Sequence, residues 1–249
     1  GYFQETDPIR LFDDCSGYNQ MAVTPAQFAR MLPAALQHAI HRREVAVVGL
    51  PGDVAASPCA ESPGASGPLP SHGIYRPLDG ELRQLAEMIG SAERITVFCG
   101  IGAREAHDEV VRLAAMLKAP VAYTFKAKME VQYDNPYEIG MTGLLGLPSA
   151  YGAMHESDLL LLLGTDFPYD CFLPSECRIA QVDIRPERIG RRARVELGLA
   201  GDVKETLQAL FPMLRERSDR VFLDRQLKIY GALCDDMACL LYTSPSPRD

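Results

Sequence analysis

Two glycines at one predicted turn have the residue type that brings a backbone close to a phosphate. Gly100 and Gly102 follow an apolar, β-branched run and precede a helical pattern. Glycines at such a strand-to-helix turn let backbone N–H groups approach a phosphate, which the positive end of the helix also attracts. The dinucleotide-binding fingerprint needs a third glycine where Glu105 stands, so a simple turn is an equal alternative.

A second glycine-rich stretch covers residues 140–146, with the sequence GMTGLLG, and lies ahead of a predicted helix. Three glycines in seven residues allow a backbone to approach a flat or phosphorylated ligand closely. A flexible loop without a ligand is an equal alternative.

Charged residues follow other predicted strands. Asp183 stands near the end of the predicted strand 178–184, where an acid is suited to accept hydrogen bonds from ribose hydroxyls. The alternative is that Asp183 caps the turn at residues 186–189. Lys126 and Lys128 have two equal interpretations, neutralising a phosphate or lying in a solvated loop.

These residues need a scaffold, and the leucine run at residues 159–163 indicates which kind. Five consecutive leucines are stable in water only if buried, and Gly164 then ends the run. A short apolar run of this kind predicts a strand covered on both faces, as in a parallel α/β sheet. Ligands on such sheets bind outside the carboxyl ends of the strands, so residues 164–169 are a candidate site.

Alternating patterns predict a doubly wound parallel α/β sheet over residues 78–215. Strands are predicted at residues 95–100, 120–125, 159–163, 178–184 and 195–199. Helices are predicted at residues 78–89, 110–117, 149–156 and 207–214. The section between Phe125 and the third of these helices is predicted to be loop-rich.

The segment before this domain has a different pattern. Residues 1–20 are predicted to be irregular, and a helix is predicted from the Thr24 cap to about Arg43, bent or broken near Pro33. A buried strand is predicted within residues 44–54, which end the first domain. Residues 55–77 are rich in Pro, Gly and Ser and predict an interdomain linker.

The last part of the chain carries weaker signals. Residues 216–239 predict a connection to a further domain, with a helix from Val221 to about Met237. The Pro/Ser-rich residues 240–249 do not continue that pattern, and we expect them to be a non-native tail.

The net charge, the cysteines and the apolar runs of the sequence argue against several classes of protein and site. A net charge of −8 argues against nucleic acid as a partner. The seven cysteines are dispersed and predict reduced thiols in a cytoplasmic protein, with Cys99 in the core. No Cys/His cluster has metal-ligand spacing, and no run approaches the roughly 18 apolar residues of a membrane span.

Several short motifs together resemble one family, the thiamine-diphosphate-dependent pyruvate oxidases, which include the bacterial pyruvate dehydrogenase that uses quinone. The resemblance covers about residues 1–235. Its motifs occur in the family's order at residues 1–6 (GYFQET), 50–54 (LPGDV), 133–137 (YDNPY), 140–144 (GMTGL), 164–169 (GTDFPY) and 181–184 (QVDI). The motif LPGDV is shared with acetolactate synthase.

The resemblance implies a fragment of a three-domain enzyme. Residues 1–54 resemble the end of the domain that binds the thiamine pyrimidine, and residues 78–215 resemble the central FAD domain. The main motifs for thiamine diphosphate and Mg²⁺ are expected outside this sequence. Residues 216–239 resemble the start of the connection to the third domain.

The resemblance also implies roles for particular residues. Residues matching FAD-contact segments are Gly100, Gly102, Thr142, Gly143, Leu144, Leu145, Thr165, Asp166, Phe167, Pro168 and Tyr169. Asp183 matches the acid on the adenosine side, and Asp166 replaces an amide found in some relatives. Phe3 and Gln4 match residues that line the active site between flavin and thiamine.

The implied activity of the intact parent is oxidative decarboxylation of pyruvate to acetate and CO₂, with electrons passing through FAD to a quinone. The parent is expected to be a homotetramer at the inner face of a membrane, and the fragment alone is expected to be inactive. Two alternatives stay open: an acetolactate synthase-like carboligase with structural FAD, and a non-catalytic nucleotide-binding module.

Overall fold

A computed structural model describes residues 3–59 and 73–243. The chain divides into two compact units, residues 1–73 and 74–249. Most of the predicted linker, residues 60–72, lies outside the described residues, as do residues 244–249 of the predicted tail. The domain boundaries given above therefore stay predictions.

The first unit is a small α/β arrangement. Its elements are α1 (Pro8–Leu11), β1 (Tyr18–Met21), α2 (Pro25–Arg42), β2 (Ala46–Gly49) and α3 (Gly52–Ala56). The two strands pair in parallel, from Tyr18 with Ala46 to Met21 with Gly49. The predicted cap is confirmed, because Thr24 Oγ1 accepts a hydrogen bond from the backbone N–H of Gln27 at 3.2 Å.

Two predictions for this unit were wrong. Residues 1–20 contain α1 and β1, which the polar composition of Tyr18–Met21 had concealed; strand pairing uses backbone groups and does not require apolar side chains. The predicted break near Pro33 is also absent, because α2 runs through this residue from Pro25 to Arg42, and strong helix formers surround the proline.

The second unit contains a six-stranded sheet in which every pairing is parallel. Its strands are β3 (Ile95–Cys99), β4 (Val121–Tyr123), β5 (Glu138–Met141), β6 (Leu159–Leu163), β7 (Arg178–Asp183) and β8 (Leu197–Ala200). The order across the sheet is β5-β4-β3-β6-β7-β8. Numbered within this sheet alone, the order is 3-2-1-4-5-6, which places a crevice where the order reverses, between β3 and β6.

Helices cover both faces of this sheet, so the predicted doubly wound α/β fold is confirmed. They are α4 (Asp79–Ser91), α5 (His107–Leu117), α6 (Lys128–Val131), α7 (Pro148–Glu156), α8 (Val203–Leu210) and α9 (Val221–Thr243). One apolar cluster joins α4, α5 and α8 to the face that carries Val97 and Leu161. The other joins α7 and part of α9 to the face that carries Phe98 and Leu162. All five leucines of β6 are buried, as predicted.

The section predicted to be loop-rich contains α6 and the edge strand β5. A helix pattern was predicted to about Met237 near the end of the chain, and α9 instead continues to Thr243. Cys99 is fully buried, and burial raises the pKa of its thiol, in agreement with its predicted place in the core. Among the described residues, no helix is both long and apolar enough to cross a membrane.

Candidate functional site

The predicted contact residues of the second unit lie at the carboxyl ends of β3, β5, β6 and β7. Strand register explains why two of their loops meet. Cys99 pairs with Leu163, so the residues that follow, Gly100 and Gly164, leave the sheet side by side. The sequence therefore folds into one edge at which loops from four strands are available to a ligand.

The loops after β3 and β6 pack backbone against backbone. The N–H of Gly102 donates to the carbonyl of Gly164 at 3.0 Å. A Cβ on Gly102 would lie 2.7 Å from Gly164 Cα, and one on Gly100 would lie 2.3 Å from the Gly164 carbonyl oxygen. Gly164 itself has a φ of +62°. Contact between these two loops is sufficient to require all three glycines, without a phosphate.

The loop after β5 is a compact turn. The N–H of Gly146 donates to Gly143 at 2.9 Å, and the N–H of Leu147 donates to Met141 at 2.8 Å. Thr142 is 4% exposed, and its Oγ1 has no hydrogen-bond partner. The turn therefore buries a hydroxyl group that nothing in the described chain satisfies.

Next to that hydroxyl, the same turn meets the loop after β6. Gly143 has a φ of +110°, and a Cβ there would lie 3.2 Å from the ring of Phe167. The following residues, Leu144 and Leu145, are each 72% exposed. Two apolar side chains are thus held in water beside the buried hydroxyl.

Aromatic rings fix the loop after β6. Phe167 is buried and meets Phe98 edge to face, with ring centroids 5.3 Å apart. Tyr169 packs on Phe167 at 5.5 Å, and both Pro168 and Tyr169 are exposed at the edge of the sheet. The core thus anchors Phe167 while its neighbours face solvent.

Asp166 has partners within the chain. Its carboxylate accepts from Arg191 Nη1 at 3.0 Å and from Arg192 Nε at 3.1 Å, and its side chain is 12% exposed. These ion pairs join the loop after β6 to the loop after β7. Thr165, the preceding residue, is buried.

Asp183 is buried at the end of β7, and one carboxylate oxygen accepts from the backbone N–H of Arg185 at 2.9 Å. Burial raises the pKa of this carboxyl, while the Arg185 hydrogen bond and the charge of Arg188 oppose the rise. The bond reaches Arg185, the residue before the turn at residues 186–189, and that turn has no side-chain cap hydrogen bond, so the predicted capping is not observed. Asp183 makes this backbone hydrogen bond instead. Because a carboxylate has two oxygens, a role towards a ribose is compatible with it.

Gln181 belongs to the QVDI motif at residues 181–184, and no role was predicted for its side chain. Its side chain is buried, and its Nε2 donates to the carbonyls of Thr165 at 3.1 Å and Arg188 at 3.4 Å. Its Oε1 accepts from the N–H of Gly190 at 2.9 Å. The available signal was its position two residues before Asp183, which places both on one face of the strand.

Two predicted lysines, Lys126 and Lys128, follow β4. Lys126 is exposed, and Lys128 donates to Gln132 Oε1. Phe3 is 84% exposed and Gln4 has a φ of +59°; both lie in the first unit. Within residues 3–59 and 73–243, no group of three or more His, Cys, Asp or Glu side chains could hold a metal ion.

Comparison with known families identifies the second unit. Residues 82–210 match the family described as thiamine pyrophosphate enzyme, central domain. The chain belongs to the thiamine pyrophosphate enzyme family. The matched range starts in α4 and ends with α8, so it contains the whole six-stranded sheet of this central domain.

The relatives of this chain include a pyruvate oxidase and an acetolactate synthase. The chain is 46% identical over 231 residues to an uncharacterized 42.6 kDa protein in the isoamylase 3' region of Pseudomonas amyloderamosa, covering 92% of this chain and 58% of the relative. It is 27% identical to pyruvate oxidase of Lactiplantibacillus plantarum, over 86% of this chain and 36% of that protein. It is 30% identical to acetolactate synthase of Mycobacterium bovis, with the same two shares covered.

The chain thus spans between about a third and three fifths of the length of these relatives. The predicted resemblance is confirmed at the level of the thiamine pyrophosphate enzymes. Pyruvate oxidation is one of the activities found among the named relatives.

Proposed function

We propose that this chain forms the flavin-binding part of an enzyme that oxidatively decarboxylates pyruvate to acetate and CO₂ with thiamine diphosphate and FAD. The observation that carries the flavin proposal is the buried Thr142 hydroxyl at the carboxyl edge of the sheet, which has no partner in the chain. Leaving such a group unsatisfied costs about 1–3 kcal/mol, and a hydrogen bond to a bound ligand would remove that penalty.

The surroundings of Thr142 suit a nucleotide cofactor with a flat, largely apolar ring. Leu144, Leu145 and Tyr169 expose apolar surface on the neighbouring loops. Asp183 offers a carboxylate at the end of β7, two strands beyond β3. An apolar surface at one part of the edge and an acid at another match the ring and ribose parts of FAD.

Each residue then has a simple task. Thr142 would bind a polar group of FAD, the leucines and Tyr169 would cover its ring from water, and Asp183 would accept from a ribose hydroxyl. Bound FAD supplies the two-electron acceptor for the oxidation. Asp166, being held by two arginines, would orient its loop; we assign it no direct contact.

The remaining parts of the proposal rest on the resemblance alone. Phe3 and Gln4 would line the thiamine site of the complete enzyme, and a quinone would accept the electrons from the flavin. We assign no Mg²⁺ ligand to the described residues. A homotetramer at the face of a membrane is proposed for the intact protein on the same basis.

The second candidate is an acetolactate synthase-like carboligase in which FAD has a structural role. The 30% identity with the Mycobacterium bovis enzyme favours it. Both candidates use the same flavin site, so they differ in what happens to the flavin during turnover.

The visible absorption spectrum of the purified 249-residue chain tests the flavin proposal. A flavin band that persists through gel filtration, with FAD released on denaturation, is the expected result. A colourless chain that binds ADP and not FAD would favour a nucleotide-binding module instead and would contradict the flavin assignment.

A second measurement separates the two enzyme classes. It uses a protein that combines this sequence with the other regions of its relatives, supplied with thiamine diphosphate, Mg²⁺ and pyruvate. Pyruvate oxidation predicts bleaching of the flavin band and release of acetate. Formation of acetolactate with an unbleached flavin would contradict it.

A further inference from the structure

We infer that Gln181 is a positioning residue for the proposed nucleotide site, because it holds the loop after β7 against the loop after β6. The inference rests on the proposed function, since those two loops carry Thr165–Tyr169 and follow Asp183. Nothing in the resemblance assigns this task to Gln181.

The nitrogen and the oxygen of the Gln181 amide are both used in hydrogen bonds. Its nitrogen donates to the carbonyls of Thr165 and Arg188, at 3.1 and 3.4 Å, and its oxygen accepts from Gly190 at 2.9 Å. All three partners are backbone groups. One side chain therefore fixes the main chain of both loops, whatever side chains those loops carry.

The Gln181 side chain is buried in the second unit. Gln181 is 4% exposed, and its hydrogen bond to Thr165 is buried, while those to Arg188 and Gly190 are partly buried. Losing them would leave the carbonyl of buried Thr165 without this partner, which is unfavourable, and would release the backbone at Arg188 and Gly190. The loops would move to recover partners.

Ion pairs also join the same two loops. Asp166 binds Arg191 and Arg192, whose side chains are 55% and 33% exposed. The Asp166 side chain is 12% exposed, but its arginine partners reach into solvent, where salt screens ion pairs. The buried Gln181 amide is therefore the more protected connection between the two loops, and the ion pairs add to it from the solvent side.

Loss of the Gln181 hydrogen bonds would also affect residues further along both loops. Thr165 is held by its carbonyl, and the segment that follows it carries Phe167 and Tyr169. Gly190, with a φ of +73°, is held by its N–H at the other loop. Releasing both anchors would displace Tyr169 and the segment that follows Asp183, without removing a group that contacts the ligand.

The test compares FAD affinity in three variants of the full chain. Gln181→Leu removes all three hydrogen bonds at similar volume, and Gln181→Glu keeps the acceptor for Gly190 but loses both donors. Thr96→Val is the matched control: Thr96 is a fully buried polar residue of the same sheet, near the amino end of β3, with Oγ1 2.6 Å from Ser157 Oγ. It removes a buried hydrogen bond far from the loops.

We expect the dissociation constant for FAD to rise about tenfold or more in Gln181→Leu, as with loss of supporting residues at other sites. The rise should be at least as large in Gln181→Glu, where a buried carboxylate oxygen would face the carbonyls of Thr165 and Arg188. Thr96→Val should bind FAD like the wild type although its melting temperature falls. At saturating FAD, the visible circular dichroism of the bound flavin should change in the Gln181 variants only.

The outcomes separate the two claims. Wild-type chain that binds neither FAD nor ADP overturns the proposed function and the inference with it. Wild-type chain that binds FAD, with both Gln181 variants binding equally tightly, overturns the inference alone. An equal loss of affinity in Thr96→Val would also overturn it, because the effect would then follow from general destabilisation.

Discussion

Two glycine-rich turns at the same edge of the sheet look alike in sequence and differ in structure. At residues 100–102 the space beside the glycines is filled by the backbone of the loop at Gly164. At residues 140–146 the turn closes on itself and buries the unpartnered Thr142 hydroxyl beside two exposed leucines. The first turn makes a backbone hydrogen bond to the neighbouring loop, from Gly102 to Gly164. The second turn contains a buried hydroxyl, that of Thr142, without a hydrogen-bond partner.

Glycine content alone therefore does not locate a ligand. A glycine can be required by a neighbouring loop as easily as by a phosphate, and the two demands are the same in sequence. The buried polar group without a partner is the feature that separates the turns. Substitutions in the two turns should therefore affect stability and binding in different proportions.

The largest expected effect is at Gly164, whose loop fills the space beside the first turn. Gly164→Ala would place a Cβ 2.5 Å from Gly102 Cα at a φ of +62°, so we expect a loss of about 2–4 kcal/mol in unfolding free energy. Urea denaturation measures it. The control is Gly152→Ala in α7, where nothing lies within 4 Å of the new Cβ and a gain of about 0.5–1 kcal/mol is expected. Equal stability of the two variants would contradict the packing described here.

A smaller effect is expected for Gly143→Ala. The backbone is strained at a φ of +110°, but the nearest atom is the edge of the Phe167 ring at 3.2 Å, which can shift slightly. We expect a loss of about 1–2 kcal/mol, together with weaker FAD binding. A variant as unstable as Gly164→Ala would show that the second turn is packed as tightly as the first.

Thr142→Val should have the opposite sign on stability. It replaces an unsatisfied hydroxyl by a methyl group of the same shape, so unfolding free energy without ligand should stay equal or rise by up to about 1 kcal/mol. Thr142→Ser, which keeps the hydroxyl, is the control. A clear loss of stability in Thr142→Val, measured by denaturation without FAD, would show that the hydroxyl already has a partner.

The smallest effect is the pH dependence from Asp183. Burial raises its pKa in the folded state, so its contribution to stability is fully present below the unfolded pKa and is lost as pH rises through the folded pKa. Asp183→Asn mimics the neutral form and can still accept from Arg185. The variant should equal the wild type near about pH 4 and be at least as stable at neutral pH. Urea denaturation at both pH values measures this, and a variant that loses stability only at neutral pH would contradict it.

Much of the scaffold was predictable because it depends on local patterns. The leucines of β6 identify a buried strand without any partner being known, and the apolar spacing of residues 110–117 predicts α5. β5 escaped prediction because Glu138–Met141 contains a glycine and lacks β-branched residues apart from Ile139. Its strand character comes from pairing with β4, which is a tertiary effect.

The contacts within the site were less predictable, because they join residues distant in sequence. Gly102 meets Gly164, and Asp166 meets Arg191 and Arg192; neither pairing follows from spacing along the chain. The order of strands was also open before the structure, and it decides which loops are neighbours. Residue types therefore indicated where a site could be, and the packing showed which groups were already satisfied.

The most direct test of the central claim is an equilibrium titration of FAD into the wild-type chain and into Thr142→Val. The account predicts saturable binding to the wild type and clearly weaker binding to Thr142→Val, which should be at least as stable without FAD. FAD that fails to bind the wild type, or that binds both proteins equally, would contradict the assignment of the Thr142 turn as the flavin site.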